Sequence, residues 1–214
     1  MAAATLASLK IQRPSESNLA VTVLDQELRV ILLTAANHGS GVTSSSLSMA
    51  SELARTSRGR VLLVDTSLSD DSLTRRLGLE QRPGFLDLAL AETPPAFGEC
   101  IQSSAELDFD LLPLGRRQQY SERLTADQLR ELLHALAGQY RFVIVDGDPV
   151  YSSGDILTLS TQVDGVVLVV RSEETRWEVA QAAAQRLIQA EAKLIGSVFN
   201  ARKYYMPKWV YDRL

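Results

Sequence analysis

Arg29-Val-Ile-Leu-Leu-Thr34-Ala-Ala-Asn37-His-Gly39-Ser-Gly41-Val-Thr43-Ser44 is the stretch from which the fold is read. Its first six residues form a short branched apolar run of the kind buried inside a sheet. Two glycines one residue apart follow. The next segment, Ser44 to Arg55, places Leu47, Ala50, Leu53 and Ala54 on one helical face. Strand, glycine turn and helix therefore form the opening unit.

The unit recurs along the chain. Val61-Leu-Leu-Val-Asp65 reads as a second strand, Asp108–Pro113 as a third and Arg141-Phe-Val-Ile-Val-Asp146 as a fourth. Gly165–Arg171 reads as a fifth strand and Ala192–Asn200 as a last. Between them, helices are expected at Phe85–Ala91, Thr125–Ala137, Ser153–Thr161 and Thr175–Glu191. Thr125 with Gln128, and Thr175 with Glu178, have the spacing of capping boxes, and Gly138 is placed to end the helix Thr125–Ala137. Runs of Val, Ile and Leu without polar alternation are buried on both faces. They imply a mostly parallel, doubly wound α/β sheet flanked by helices. Residues 1–17, small and polar, read as an arm; 18–202 as the α/β domain, with a helix or an edge segment at 18–28; and 203–214 as an aromatic tail.

The bulk numbers narrow the function. A chain of 214 residues, 45% hydrophobic and 22% charged, fills one ordinary domain. A net charge of -4 gives no general footprint for nucleic acid. The single cysteine, Cys100, excludes an internal disulfide and fits a reducing cytoplasm. The start has no apolar run of signal-peptide length, and Asp25, Glu27 and Arg29 interrupt the next one, so a membrane link is expected only through a partner or a surface contact.

Three strands end in chemistry-bearing turns, at the edge where open parallel sheets bind ligands. In the first turn, Gly39, Ser40, Gly41, Val42, Thr43 and Ser44 follow the spacing of a phosphate loop. There the glycines let backbone N–H groups surround phosphate oxygens, a lysine reaches the terminal phosphates, and a hydroxyl holds magnesium. The lysine position is Val42. A charge-assisted hydrogen bond contributes roughly 1.5–3 kcal/mol, so its loss weakens nucleotide binding about ten- to a hundredfold. The plain alternative is a solvated Gly/Ser turn before a helix. The other two turns follow Asp65 and Asp146, each placed to hold a magnesium-bound water or simply to cap its loop.

With these blocks in order, the chain resembles the cytoplasmic domain of the bacterial tyrosine autokinases of capsule and exopolysaccharide synthesis (BY-kinases), within the MinD/ParA-like group of P-loop proteins. The resemblance runs from about Arg29 to Tyr205. It is carried by Val61–Asp65, Gly84-Phe-Leu-Asp-Leu-Ala-Leu-Ala-Glu92, Asp110-Leu-Leu-Pro-Leu-Gly115, Tyr140–Pro149, Val163–Arg171 and Leu194–Asn200. It implies that Asp65 is the first aspartate of the second Walker-type motif and Asp146 the Walker B aspartate. It further implies that Asn200 lies near an adenine, and that Tyr204, Tyr205 and Tyr211 occupy the place of the tyrosine cluster.

The departures matter equally. Val42 replaces the lysine, and Asp65-Thr66-Ser67 lacks the second carboxylate of Asp-x-Asp. The Glu/Arg-rich helix linked to ring assembly is not evident before the first strand. The resemblance therefore implies a pseudokinase-like member with Asp65 and Asp146 vestigial, no dedicated metal site, and ATP with magnesium bound at most weakly. It would serve as a regulatory or scaffold subunit beside an inner-membrane polysaccharide co-polymerase, with a homodimer allowed, on the cytoplasmic side. The alternatives are an active ATP-dependent tyrosine autokinase with a non-standard loop, its charge supplied by Lys193 or Lys203, and a MinD/ParA-like positioning ATPase. The tail Tyr204–Leu214 reads as phosphoacceptor, docking patch, bilayer contact or a segment packed on the domain. His38 and His134 read as solvated or packed, without a partner acid.

Overall fold

The computed structural model describes residues 23–24, 26–103, 107–117, 123–152 and 154–200. Six strands form one sheet: β1 Val30–Ala35, β2 Val61–Asp65, β3 Asp110–Leu112, β4 Phe142–Asp146, β5 Gly165–Arg171 and β6 Leu194–Asn200. Their order is β3-β2-β4-β1-β5-β6, and every pairing between them is parallel. Seven helices are described: α1 Val42–Thr56, α2 Leu73–Arg76, α3 Phe85–Leu90, α4 Phe97–Cys100, α5 Ala126–Gln139, α6 Asp155–Ser160 and α7 Trp177–Gln189.

Period-2 geometry divides the buried strand residues between two cores. Ile31, Leu33, Leu63, Ile144 and Val167 pack with Leu47, Ala50 and Leu53 of α1. Leu32, Leu62, Val143, Val145 and Val166 pack on the other side with Leu129, Leu133 and Leu136 of α5 and with Ala183 and Leu187 of α7. Both faces of the central strands are thereby covered, which is why those strands show no polar alternation. Strand β6 lies at the sheet edge and is only half-buried, with Phe199 exposed.

Several expected boundaries move. Helix α1 begins at Val42, two residues before Ser44, because Gly41 in a left-handed conformation already serves as its N-cap. The box of Thr125 and Gln128 forms: each side chain bonds the other's backbone N–H. Gly138 does not end α5. The helix runs on to Gln139 and closes when the Tyr140 amide bonds to the Leu136 carbonyl. The second capping box is absent. Arg176 is the N-cap of α7, and the Thr175 hydroxyl instead accepts from the Arg171 amide in the turn after β5. Strand β3 is shorter than expected, having β2 as its one strand partner and an isolated antiparallel bridge, Gln102 to Leu111, outside it. The four-residue helices α2 and α4 are too short to leave a periodic signal. No helix of the described residues is long and apolar enough to cross a membrane.

Candidate functional site

The loop leaving β1 turns through Gly39 (φ 77°) and Gly41 (φ 85°), both in the left-handed region that glycine adopts without strain. A Cβ on Gly41 would stand 1.8 Å from Nδ2 of Asn200. That amide, on the last residue of β6, donates to the Ser40 carbonyl at 3.0 Å. Arg171, the last residue of β5, donates from Nη1 to the Gly39 carbonyl at 2.9 Å and pairs through Nη2 with Glu174 at 3.0 Å. Two neighbouring strand ends thus hold the loop by its carbonyls. Ser40 is itself buried, its hydroxyl turned onto the Asn37 carbonyl. Ser44 is exposed, whereas the next hydroxyl, Ser45, bonds to the Gly41 carbonyl.

The first turn of α1 contains no acidic residue, so its amino end presents backbone N–H groups and a positive partial charge. The lysine position is apolar in space as in sequence: Val42 is partly buried and packs against the core under α1. Lys193 cannot stand in for the missing cation. It immediately precedes β6, and its carbonyl accepts from Val166 at the amino edge of the sheet, whereas the loop lies at the carboxyl edge. Among the described residues, Arg171 brings a basic side chain onto the loop. Lys203, Tyr204, Tyr205 and Tyr211 lie outside the described residues.

Asp65 and Asp146 end adjacent strands and face each other in register. Both are buried. Asp65 accepts from the Ser67 amide at 3.0 Å and from the amide and hydroxyl of Thr74, each at 2.6 Å. Thr74 in turn accepts from the Leu114 amide at 2.7 Å, tying the end of β2 to the segment after β3. Asp146 has fewer partners: Oδ1 accepts from Ser46 at 3.2 Å, and Oδ2 has none among the described residues. Burial, reinforced by the neighbouring Asp65, pushes the Asp146 carboxyl up to about 8, against the pull of the Thr43 and Ser46 hydroxyls. Burial likewise raises Asp65, opposed by its Thr74 and Ser67 donors.

Three residues here were not assigned roles from sequence. Asp148 takes the Ser67 hydroxyl on Oδ1 at 2.5 Å and the Leu68 amide on Oδ2 at 2.9 Å. Ser67, standing where the second carboxylate is absent, is therefore committed to a neighbouring acid. Ser46 lies one helical turn after Thr43, a spacing that could have been read as a second hydroxyl on the same face. Arg171 gave no signal beyond ending an apolar run. His38 and His134 are both exposed.

The donor set can be tested against the groups that a phosphate loop holds. An orphaned buried carboxylate oxygen beside a threonine hydroxyl fits a magnesium-bound water. The N–H groups at the start of α1 fit phosphate oxygens. The position from which a lysine reaches the terminal phosphates does not fit, being Val42.

The known proteins with which this architecture can be compared point one way. Tyrosine-protein kinase YwqD of Bacillus subtilis is 27% identical over 192 residues, covering 89% of this chain and 80% of its own length. The VpsO kinase domain superposes with a TM-score of 0.73 at 25% identity, over 94% of this chain and 95% of its own. The chain is a relative of the bacterial tyrosine-protein kinases. No family model matches it. It spans about a quarter of the length of other matched tyrosine-protein kinases, such as the putative kinase EpsB of Ralstonia nicotianae. The fold extends further: MinD of Aquifex aeolicus superposes with a TM-score of 0.67 at 21% identity, over 85% of this chain and 73% of that one. The sheet is thus the doubly wound, P-loop type expected from sequence, of the MinD/ParA kind.

Proposed function

We propose that this chain is a non-catalytic relative of the bacterial tyrosine kinases, acting as a regulatory or scaffold subunit in exopolysaccharide or capsule synthesis. The observation that carries the reading is Val42 at the head of α1, partly buried and packed against the core where a lysine would meet the terminal phosphates. Phosphoryl transfer depends almost wholly on positioning and charge stabilisation, so losing that cation costs the transition state more than the ground state. Ser67 supports the same reading. Its hydroxyl is spent on Asp148 and it brings no charge to the site.

On this reading the aspartates hold the scaffold rather than run a reaction. Asp65 organises the turn after β2 and, through Thr74, the segment at Leu114. The residues assigned to the degenerate nucleotide site, Gly39 to Ser44 with Asn200, retain the shape of a cradle for a single small anion. The partner is an inner-membrane polysaccharide co-polymerase, met at the cytoplasmic face, with Tyr204, Tyr205 and Tyr211 as phosphoacceptors for another kinase or as docking groups.

A second reading is favoured by one observation. The Asp146 carboxyl, next to the Thr43 hydroxyl and with no partner for Oδ2 among the described residues, is the feature a magnesium-dependent nucleotide site would keep. Calorimetric titration of the whole chain with ATP and magnesium separates the two. The non-catalytic reading expects no heat at millimolar ATP. Affinity tighter than about 10 µM, with phosphate transferred to tyrosine and lost in Asp146→Asn, would overturn it. Co-purification with a chain-length protein tests the scaffold role, and capture of a partitioning or cell-division partner instead would favour the positioning-ATPase alternative.

A further inference from the structure

Beside the two aspartate-bearing turns lies a cavity that the phosphate loop does not use. Its volume is about 230 Å³. Phe85, Leu86 and Leu90 of α3 form one wall, and Ile156 and Leu159 of α6 another. Thr66 and Asp148, just past the ends of β2 and β4, line it together with Arg117 and Arg123.

The charges are not equivalent. Asp148 has both oxygens engaged, by Ser67 and by Leu68. Arg117 donates from Nη1 to the Leu68 carbonyl at 2.7 Å, which ties its guanidinium to the turn after β2. A guanidinium offers five N–H donors and no acceptor. Asp155 lies in the first turn of α6, where a carboxylate is stabilised by the helix amides. The lining therefore combines an apolar chamber of one- or two-ring size with two guanidiniums, one of them fixed by the Leu68 carbonyl. Ligand sites are of this kind, mostly apolar with a few placed polar groups.

We propose that this cavity binds a small amphipathic anion: a ring-sized apolar body in the chamber, and a carboxylate or phosphate head on Arg117 and Arg123. The site is separate from the phosphate loop and independent of whether the chain hydrolyses or binds a nucleotide. Its occupant would touch Thr66, whose amide and hydroxyl both bond to the Asp146 carbonyl. Binding would thereby brace the turn after β2 against the end of β4.

The test is a titration of the full chain with 2-naphthoate, followed by amide chemical shifts, with neutral 2-naphthamide and cationic 2-naphthylmethylamine in parallel. Saturable shifts at Thr66, Leu68, Leu90 and Ile156 are expected. Leu90→Trp and Leu124→Trp, at partly exposed positions of the lining, should each abolish them while the spectrum elsewhere stays folded. Arg117→Gln combined with Arg123→Gln should weaken 2-naphthoate about tenfold or more and leave 2-naphthamide unchanged. The proposal is overturned by an absence of saturation at these residues, by binding that survives both tryptophan variants, or by preference for the cation.

Discussion

Asp146 faces Asp65 across the neighbouring strands β4 and β2, yet the two carboxylates are served unequally. Asp65 takes three donors, whereas one oxygen of Asp146 has no partner among the described residues. An uncompensated carboxylate buried beside another is costly while ionised, and the pair relieves that cost by holding a proton.

This has a pH signature. The Asp146 carboxyl is raised to about 8 in the folded chain, while an unfolded aspartate titrates near 4. Between those values the native state binds the proton and the unfolded state does not. Stability contributed by the protonated group is therefore complete below about pH 4 and is lost as pH rises towards 8. Asp146→Asn, which cannot ionise, should escape the loss. Its melting temperature relative to wild type is expected to climb between pH 4 and 8, reaching several degrees in favour of the variant. A difference that stays flat across that range, measured by calorimetry, would show that Asp146 is ionised throughout.

Val42→Lys tests whether the rest of the cradle is intact. Val42 is only partly buried, so a lysine stem can follow its path and carry the ammonium outward. The expected result is a gain of about ten- to a hundredfold in affinity for ATP with magnesium. Tyrosine kinase activity should stay absent until Ser67→Asp is added, because Ser67 supplies no carboxylate. Calorimetry reads the first effect and phosphate transfer the second. No gain in affinity from Val42→Lys would place the defect in the loop's shape rather than its charge.

Gly41 and Asn200 form a pair suited to a double-mutant cycle. Gly41→Ala meets two penalties: a left-handed backbone, roughly 1–2 kcal/mol, and a Cβ at 1.8 Å from the Asn200 amide. Asn200→Ala removes the second and leaves the first, at the loss of the bond to the Ser40 carbonyl. Denaturant unfolding should find the double variant more stable than the sum of the singles predicts. Strict additivity would mean that Asn200 does not rest on the loop in solution.

The order of elements was legible because buried parallel strands announce themselves as Val/Ile/Leu runs: β1, β2, β4 and β5 lie on such runs, and β3 and β6 fall within the stretches expected for them. The phosphate-loop shape was legible from Gly39 and Gly41, since left-handed turns demand glycine. What could not be read were contacts made between distant segments. Arg171 reaches Gly39 across 132 positions, and Ser67 reaches Asp148 across 81. Neither residue type nor spacing marks such a pair, which is also why Lys193 looked available until the parallel course of β6 put it at the wrong edge. Thr175 failed as a cap for a related reason: the turn after β5 claimed its hydroxyl before the helix could.

The last prediction concerns two of the blocks on which the resemblance rests, Gly84–Glu92 and Asp110–Gly115. The structure joins them at one carboxylate. Asp87 is fully buried and accepts from the amides of Gly84 at 2.9 Å and Arg116 at 3.0 Å. The Arg116 guanidinium closes on its other oxygen through Nε and Nη2, each at 2.7 Å. Backbone packs tightly around it: a Cβ on Gly84 would stand 2.2 Å from the Pro113 carbonyl, and one on Gly115 2.3 Å from Asp87 itself. Removing either charge takes a partner from the groups around the other, but unequally. Arg116 is about a third exposed, so Arg116→Ala admits water and should cost about 1.5–3 kcal/mol. Asp87→Ala strands two buried amides and a guanidinium together and should cost about 3–5 kcal/mol. The double variant should fall close to Asp87→Ala alone, because the guanidinium loses little once its carboxylate has gone. Urea unfolding of the three variants checks the ranking. If Arg116→Ala proved the more damaging, the guanidinium rather than the carboxylate would be organising the junction between these blocks.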